Sequence, residues 1–290
     1  MLLIIVLSFL LFSLLFGIVL LVPFYGSGIL NTLAEPDYKD VTVIAALKAI
    51  QIVNQVGGLL LPALIYLWLC MPADEKYSGY NKSVSAISLF LSVILIIVAQ
   101  PLVGLSNEWN SNLTLPEWLS FVEKWMKASE QQGDMITEAF LSTTSATGLL
   151  VNIFMIAILP AFAEEILFRR ALAGLFKDWT KNIHLAVFLS SFIFAAIHMQ
   201  FYGFLPRFLL GITLGYLFFW SGNIWLPIAA HFTNNFLSVL IEFLFRKGFI
   251  HTNAENFGTE NAVWLIVISM IGVTGVLYSI HYLSLNKSHN

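Results

Sequence analysis

Hydrophobic positions in this chain fall into long, nearly unbroken runs separated by short polar stretches. The first run covers about residues 2–22, and a polar loop with Pro23, Gly26, Gly28 and Pro36 occupies 23–40. Further runs follow at about 42–70, 84–105, 147–172, 183–200, 204–220, 224–245 and 262–283. A bilayer-crossing helix needs about 20 predominantly apolar residues, whereas barrel strands are half that length and alternate. The pattern therefore predicts an all-α fold, a polytopic transmembrane helix bundle of about eight spans. Gly211 and Gly215 stand at the small-xxx-small spacing that lets membrane helices approach closely.

The longest polar segment, 106–145, breaks this regularity. Within it Leu119, Val122, Trp125 and Met126 share a helical face, which predicts an amphipathic helix lying on the membrane or capping the bundle. A substrate-handling lid is the alternative. Polar loops are expected at 71–83 and 246–261, and a polar tail after 283. No lysine or arginine precedes the first run and no small-x-small cleavage site follows it, so it reads as a span rather than a cleaved leader.

Composition agrees with the pattern. The 290 residues are 58% hydrophobic and 11% charged, with mean hydropathy +0.83. Soluble domains carry about a quarter charged residues. Net charge is −3 and no basic patch offers a surface for nucleic acid. Cys70 is the single cysteine, so no intrachain disulfide forms; with no histidine nearby in sequence it reads as a structural thiol. Arg169, Arg170, Lys177 and Lys181 cluster around the turn between the fourth and fifth spans. The positive-inside rule then places that turn, and with eight spans both termini, in the cytoplasm, at the cell membrane.

Polar residues inside the apolar runs carry the candidate chemistry. Glu164 and Glu165 end an apolar run from Leu149 to Ala163. Ionisable residues at bilayer depth are expensive and face a bundle interior or a watered cavity. Residues four apart are neighbours on a helix, which pairs Glu165 with Arg169 and leaves Glu164 facing elsewhere. His198 closes the fifth run, four residues after Phe194; His231 and Asn235 share a face of the seventh. Glu164 lies 16 residues before the turn near Thr180 and His198 lies 18 after it, so at about 1.5 Å per residue they sit at similar depth. His231 and Asn235 would be somewhat shallower. Each has a simpler explanation alone: ion pairs at a helix end at the membrane surface for the glutamates, interhelical hydrogen bonds for His198, His231 and Asn235. Together they describe a site. A carboxylate in a low-dielectric pocket can act as general base on water, imidazole can orient that water or bind a metal, and Asn and His can donate to an oxyanion. No serine or cysteine nucleophile pairs with these groups, so water attacking an amide is the natural reaction.

Three segments resemble the motifs of the CPBP family of intramembrane proteases, also called the CAAX-protease and bacteriocin-processing or Abi family. E-E-x-x-x-R reads Glu164-Glu165-Ile-Leu-Phe-Arg169, F-x-x-x-H reads Phe194-Ala-Ala-Ile-His198, and H-x-x-x-[ND] reads His231-Phe-Thr-Asn-Asn235. All three occur in order, on separate spans, within 72 residues. The resemblance covers a core at 147–245; the hydrophobic pattern flanks it with N-terminal spans and the polar segment in 1–146 and with a loop and last span in 246–290, all in one membrane domain. It implies that Glu164 activates water with help from His198, that His231 and Asn235 stabilise the oxyanion, and that Glu165, Arg169 and Phe194 support the site. Glu164, His198 and His231 could instead ligate a divalent ion such as zinc; the resemblance leaves metal-dependent and metal-independent chemistry both open. It implies a peptide or protein substrate at the lipid bilayer, with lipidated polypeptides among the family's substrates. Alternatives are a non-catalytic immunity or adaptor protein binding a peptide in the same cavity, and a transporter relaying protons through Glu164 and His198. Absent repeated halves and paired broken helices argue against the transporter.

Overall fold

The computed structural model describes residues 2–71, 84–252 and 263–286, and the helices among them are α1 (Leu2–Tyr25), α2 (Ile29–Ala34), α3 (Val41–Cys70), α4 (Ala86–Ser111), α5 (Ser120–Leu141), α6 (Ala146–Thr180), α7 (Ile183–Ala196), α8 (Phe204–Ser221), α9 (Trp225–Arg246) and α10 (Val263–Asn286). Most of the expected loop at 71–83, much of that at 246–261 and the end of the tail lie outside the described residues. Seven of these helices are long and apolar enough to cross a membrane. The eighth apolar helix, α7, has 14 residues where the pattern predicted a run to about 200. At about 1.5 Å per residue it is about 21 Å long, short of a hydrocarbon layer of about 30 Å.

Two apolar cores lie side by side. One joins α1, α3, α6 and α7 through Leu2, Ala63, Leu67, Leu167, Phe168 and Phe194. The other joins α4, α8, α9 and α10 through Leu95, Leu214, Leu217, Leu226, Ala230 and Ile280. Ala161 of α6 packs with Phe218, Ile224 and Ile228 between them. The polar residues of α6 and α9 therefore sit inside the bundle, walled by apolar side chains.

Helices α3 and α6 are continuous but not uniform. Wide turns with i→i+5 character occupy Asn54–Leu60 in α3 and Ile153–Ile158 and Ile166–Ala173 in α6. Two of them run directly into Pro62 and Pro160. Proline has no N–H and its ring clashes with the carbonyl four residues back, so the helix widens to accommodate it. The carbonyls opposed to these prolines are those of Gly58 and Ile156, and the second is used by the site.

Gly211 and Gly215 do what their spacing predicts. A Cβ at Gly211 would come within 2.9 Å of Ser191 Cβ and 3.2 Å of its Cα, and one at Gly215 within 2.9 Å of Val187 Cγ1, so α7 and α8 pack nearly backbone to backbone. Gly211→Ala should destabilise the protein by about 1–3 kcal/mol through overpacking. Thermal unfolding in detergent measures this, and a wild-type melting temperature would refute it.

The polar segment 106–145 forms the C-terminal end of α4 and the amphipathic helix α5, which extends to Leu141. Phe121, and Trp118 in the turn just before the helix, are exposed on its outer side, as suits a helix lying at the membrane surface. Its other face covers the α7–α8 connection. Ser129 Oγ donates to the Met199 carbonyl (2.7 Å), the Tyr202 amide donates to Glu130 Oε2 (3.0 Å), and Trp125 packs on Phe201. From α4, Asn110 donates to the Phe201 carbonyl and accepts from the Leu205 amide. Irregular backbone near membrane depth must find such partners. Helix α5 thus covers the α7–α8 connection.

Arg169 and Arg170 are buried rather than flanking the turn, leaving Lys177 and Lys181 as its exposed positive charges.

Candidate active site

Glu164 and Glu165 lie at the end of the regular stretch Leu159–Glu165, where α6 passes into its second wide turn. Both are buried, Glu165 completely and Glu164 with 7% exposure. A buried charge needs a partner. Glu165 has two: Arg169 Nε stands 3.0 Å from Oε2 and His231 Nδ1 stands 2.7 Å from Oε1. The i,i+4 pairing read from spacing is therefore present, and the ion pair lies inside the bundle rather than at its surface.

Phe194 is the apolar centre of the arrangement. The Arg169 guanidinium lies 4.6 Å from its ring centroid, Phe168 and His198 pack edge-on at 5.2 Å, and His231 does so at 5.9 Å. A cation over an aromatic face is attracted by the ring quadrupole, more so when desolvated. Phe194 thus ties α6, α7 and α9 together at the level of the glutamates.

Hydrogen-bond partners assign the imidazole nitrogens. His198 Nδ1 donates to the Phe194 carbonyl at 2.7 Å, a carbonyl orphaned where α7 stops, so Nε2 is the nitrogen left for chemistry. His231 commits Nδ1–H to the Glu165 carboxylate, and its Nε2 faces Glu164 Oε2 at 3.8 Å. A carboxylate behind an imidazole fixes tautomer and ring orientation. Asn235 Nδ2 donates at 3.0 Å to the Ile156 carbonyl, the one opposed to Pro160, and Asn235 Oδ1 accepts from Asn234. One amide hydrogen of Asn235 remains.

The structure brings Glu164, Glu165, Arg169, Phe194, His198 and His231 into one connected group, with Asn235 one helical turn beyond His231. It places His231 deeper than turn-counting suggested, in contact with both glutamates. One member lay outside the expected set. Gln55 of α3 places Nε2 3.5 Å from Glu164 Oε1. Its signal in the sequence is the polar series Lys48, Gln51, Asn54, Gln55 inside an apolar run. Lys48 likewise bonds Asn152 Oδ1 on α6 at 2.8 Å.

Glu164, His198 and His231 are the expected ligands if a divalent ion such as zinc takes part. Among the described residues no group of three or more His, Cys, Asp or Glu side chains is arranged to hold an ion. With His231 Nδ1 committed to Glu165, Nε2 is the atom through which His231 would meet such an ion, which would polarise the attacking water. The arrangement supports acid–base chemistry: one carboxylate neutralised by an arginine and an imidazole, a second facing an imidazole nitrogen and an amide.

Beside His198, Arg207 bonds Gln200 Oε1 (2.7 Å) and Gln200 Nε2 bonds Asp134 (3.2 Å), which clasps α5 to the α7–α8 connection next to Glu130. Burial pushes the Glu130 carboxyl above its ordinary value; the Tyr202 amide opposes this, Asp134 adds to it, and Arg207 and the Phe201 amide oppose it. The docked form therefore holds its proton more readily than the undocked form. Docking of α5 is firmest below the ordinary carboxylate pKa and weakens as pH rises from there through the raised value. Hydrogen-exchange protection of α5 should fall across that window, and Glu130→Gln should flatten the dependence; an unchanged slope would contradict it.

Residues 146–237 match the family model described as Type II CAAX prenyl endopeptidase Rce1-like. Among curated proteins, the "Uncharacterized protein YpbD" of Bacillus subtilis is 31% identical over 118 residues, covering 38% of this chain and 54% of YpbD. The "Putative membrane peptidase YdiL" of the same organism is 31% identical over 106 residues, covering 37% of this chain and 42% of YdiL. The chain thus spans about half the length of the curated relatives it matches. No solved structure matches it. The matched segment contains all three motifs and the helices that carry the site.

Proposed function

We propose that this integral membrane protein, whose residues 146–237 match the Rce1-like endopeptidases, hydrolyses a peptide bond in a membrane-associated polypeptide, with a lipidated C-terminal segment as the substrate class. Glu164 takes a proton from water, assisted by His198 Nε2, and the oxygen attacks the scissile carbonyl carbon. His231, with Nδ1–H committed to Glu165, donates from Nε2 in its protonated form to the developing oxyanion, and the remaining amide hydrogen of Asn235 points the same chemistry at the same oxygen. Glu164 then passes its proton to the leaving amine. Preorganised donors of this kind contribute about 10²–10³ in rate each. Glu165, Arg169 and Phe194 hold the geometry. Lys177 and Lys181 put the α6–α7 turn in the cytoplasm.

The observation that supports this reading most is the division of labour between adjacent carboxylates: Glu165 is paired closely with Arg169 and His231 Nδ1, and Glu164 meets the Gln55 amide and, at 3.8 Å, His231 Nε2. Two titratable groups held in different environments are the pattern of acid–base catalysis. The test presents purified protein in detergent with a library of lipidated C-terminal peptides, read by mass spectrometry, with and without chelator. Cleavage by wild type and none by Glu164→Gln is expected. Chelator sensitivity would bring a metal into the mechanism. A folded wild type that cleaves no peptide would refute the peptidase reading in favour of peptide binding without catalysis.

A further inference from the structure

Gln55 stands outside the segment matched by the family model and outside all three motifs, yet it is 6% exposed and its nearest partner is Glu164. Burying a primary amide in an apolar helix costs free energy that a leucine would not. The side chain also does not fold back on its own helix, as an uncommitted polar residue would do in an apolar setting. Its Nε2 points at Glu164 Oε1, and the amide is oriented by chemistry, since a carboxylate accepts and only the nitrogen can donate. Its Oε1 is buried and receives no donor from the described residues. A buried acceptor of that kind has a reason to be there.

The backbone around Gln55 is built to hold it in place. It lies in the wide turn Asn54–Leu60 that leads into Pro62, and such turns re-aim side chains relative to a regular helix. Behind it come Gly57 and Gly58. A Cβ at Gly57 would meet Ser13 Cβ at 2.8 Å, and one at Gly58 would meet Leu10 Cδ2 at 2.5 Å. Helix α1 therefore presses directly on this part of α3, on which Ser13 Oγ also bonds Asn54 Oδ1 at 3.2 Å. A side chain backed by packed helices holds its partner within tight limits, which is what a catalytic carboxylate needs.

Resting on the peptidase reading above, we propose that Gln55 is a positioning residue of the active site, its Nε2 fixing the Glu164 carboxyl through Oε1 while its Oε1 accepts the second hydrogen of the water whose first hydrogen Glu164 takes. The carboxyl would then be bonded by Gln55 at Oε1 with His231 Nε2 facing Oε2 at 3.8 Å, and the water would present its lone pair to the substrate carbonyl. No bond to Gln55 forms or breaks. Helix α3 thus joins α6, α7 and α9 as a fourth wall of the site.

Gln55→Met keeps the volume and removes both hydrogen-bonding groups. It is expected to lower kcat for the cleaved peptide by about ten- to hundredfold, the range for one hydrogen bond to a charged group, with KM within about twofold. The second readout needs no substrate. The infrared carboxyl band of Glu164, identified as the band that Glu164→Gln removes, is expected to shift in Gln55→Met. If Gln55→Met does not fold, Gln55→Asn, too short to span the contact, is read by the same band. An unmoved band overturns the proposal whatever the rates do, and so does wild-type kcat in a folded Gln55→Met. A wild type that cleaves nothing while the band still shifts would sink the peptidase reading and leave the Gln55–Glu164 contact established.

Discussion

Glu164→Gln lowers kcat for a cleavable lipidated peptide by about 10²–10⁴-fold, the usual contribution of a positioned general base, and leaves the melting temperature close to wild type. The amide is nearly the same shape as the carboxylate and keeps an oxygen that can accept from Gln55 Nε2 or a water. It cannot accept a proton at neutral pH. Its neighbours tolerate the change, because Arg169 is paired with Glu165 at 3.0 Å and, among the described residues, the nearest basic group to Glu164 is His231 Nε2 at 3.8 Å. Parallel kinetics and thermal melts check both halves. A variant that retains more than about a tenth of wild-type kcat would remove Glu164 from the mechanism.

Glu165→Ala behaves in the opposite way. Arg169 is 1% exposed and its charge is met by Glu165, while His231 bonds the other oxygen of the same carboxylate. Removing that carboxylate leaves a guanidinium buried without its counter-charge and an imidazole without the partner that sets its tautomer. Breaking a buried pair from one side costs about 3–5 kcal/mol. Glu165→Ala should therefore unfold far more readily than Glu164→Gln, and its lost activity should follow its lost fold. Melting temperature in detergent and far-ultraviolet circular dichroism measure this. A Glu165→Ala protein as stable as wild type would show that the charge on Arg169 is met elsewhere. The contrast between adjacent glutamates is the sharpest test of the division of labour between them.

Much of this arrangement can be read along the chain, because local spacing on a helix is a reliable guide to neighbourhood. Four-residue steps place Glu165 beside Arg169, Phe194 beside His198 and His231 on the face of Asn235, and long apolar runs announce the spans. The Gly211–Gly215 step announces the tight α7–α8 crossing. These features depend on helical period and on the cost of polar groups in an apolar medium, both properties of the local sequence.

Other features depend on which helices meet, and spacing is silent about that. Gln55 and Glu164 are separated by 109 positions and come together because α3 packs directly on α6, with α1 close against Gly57 and Gly58 of α3. Arg169 and Arg170, counted as charges flanking a turn, are buried because α6 runs on to Thr180 and carries them inside the bundle. Helix α7 stops at Ala196 although apolar residues continue, since its end is capped by His198 on the Phe194 carbonyl and its exit is covered by α5 and Asn110. Asn235 meets the Ile156 carbonyl because Pro160 offers that carbonyl no N–H. The chain alone settles the seven long apolar helices, the helix faces and the residue types available for chemistry, as these follow from periodicity and desolvation. The packed bundle settles which carboxylate is neutralised, which imidazole nitrogen is left free and which distant amide joins them, as those outcomes depend on partners that only long-range packing supplies.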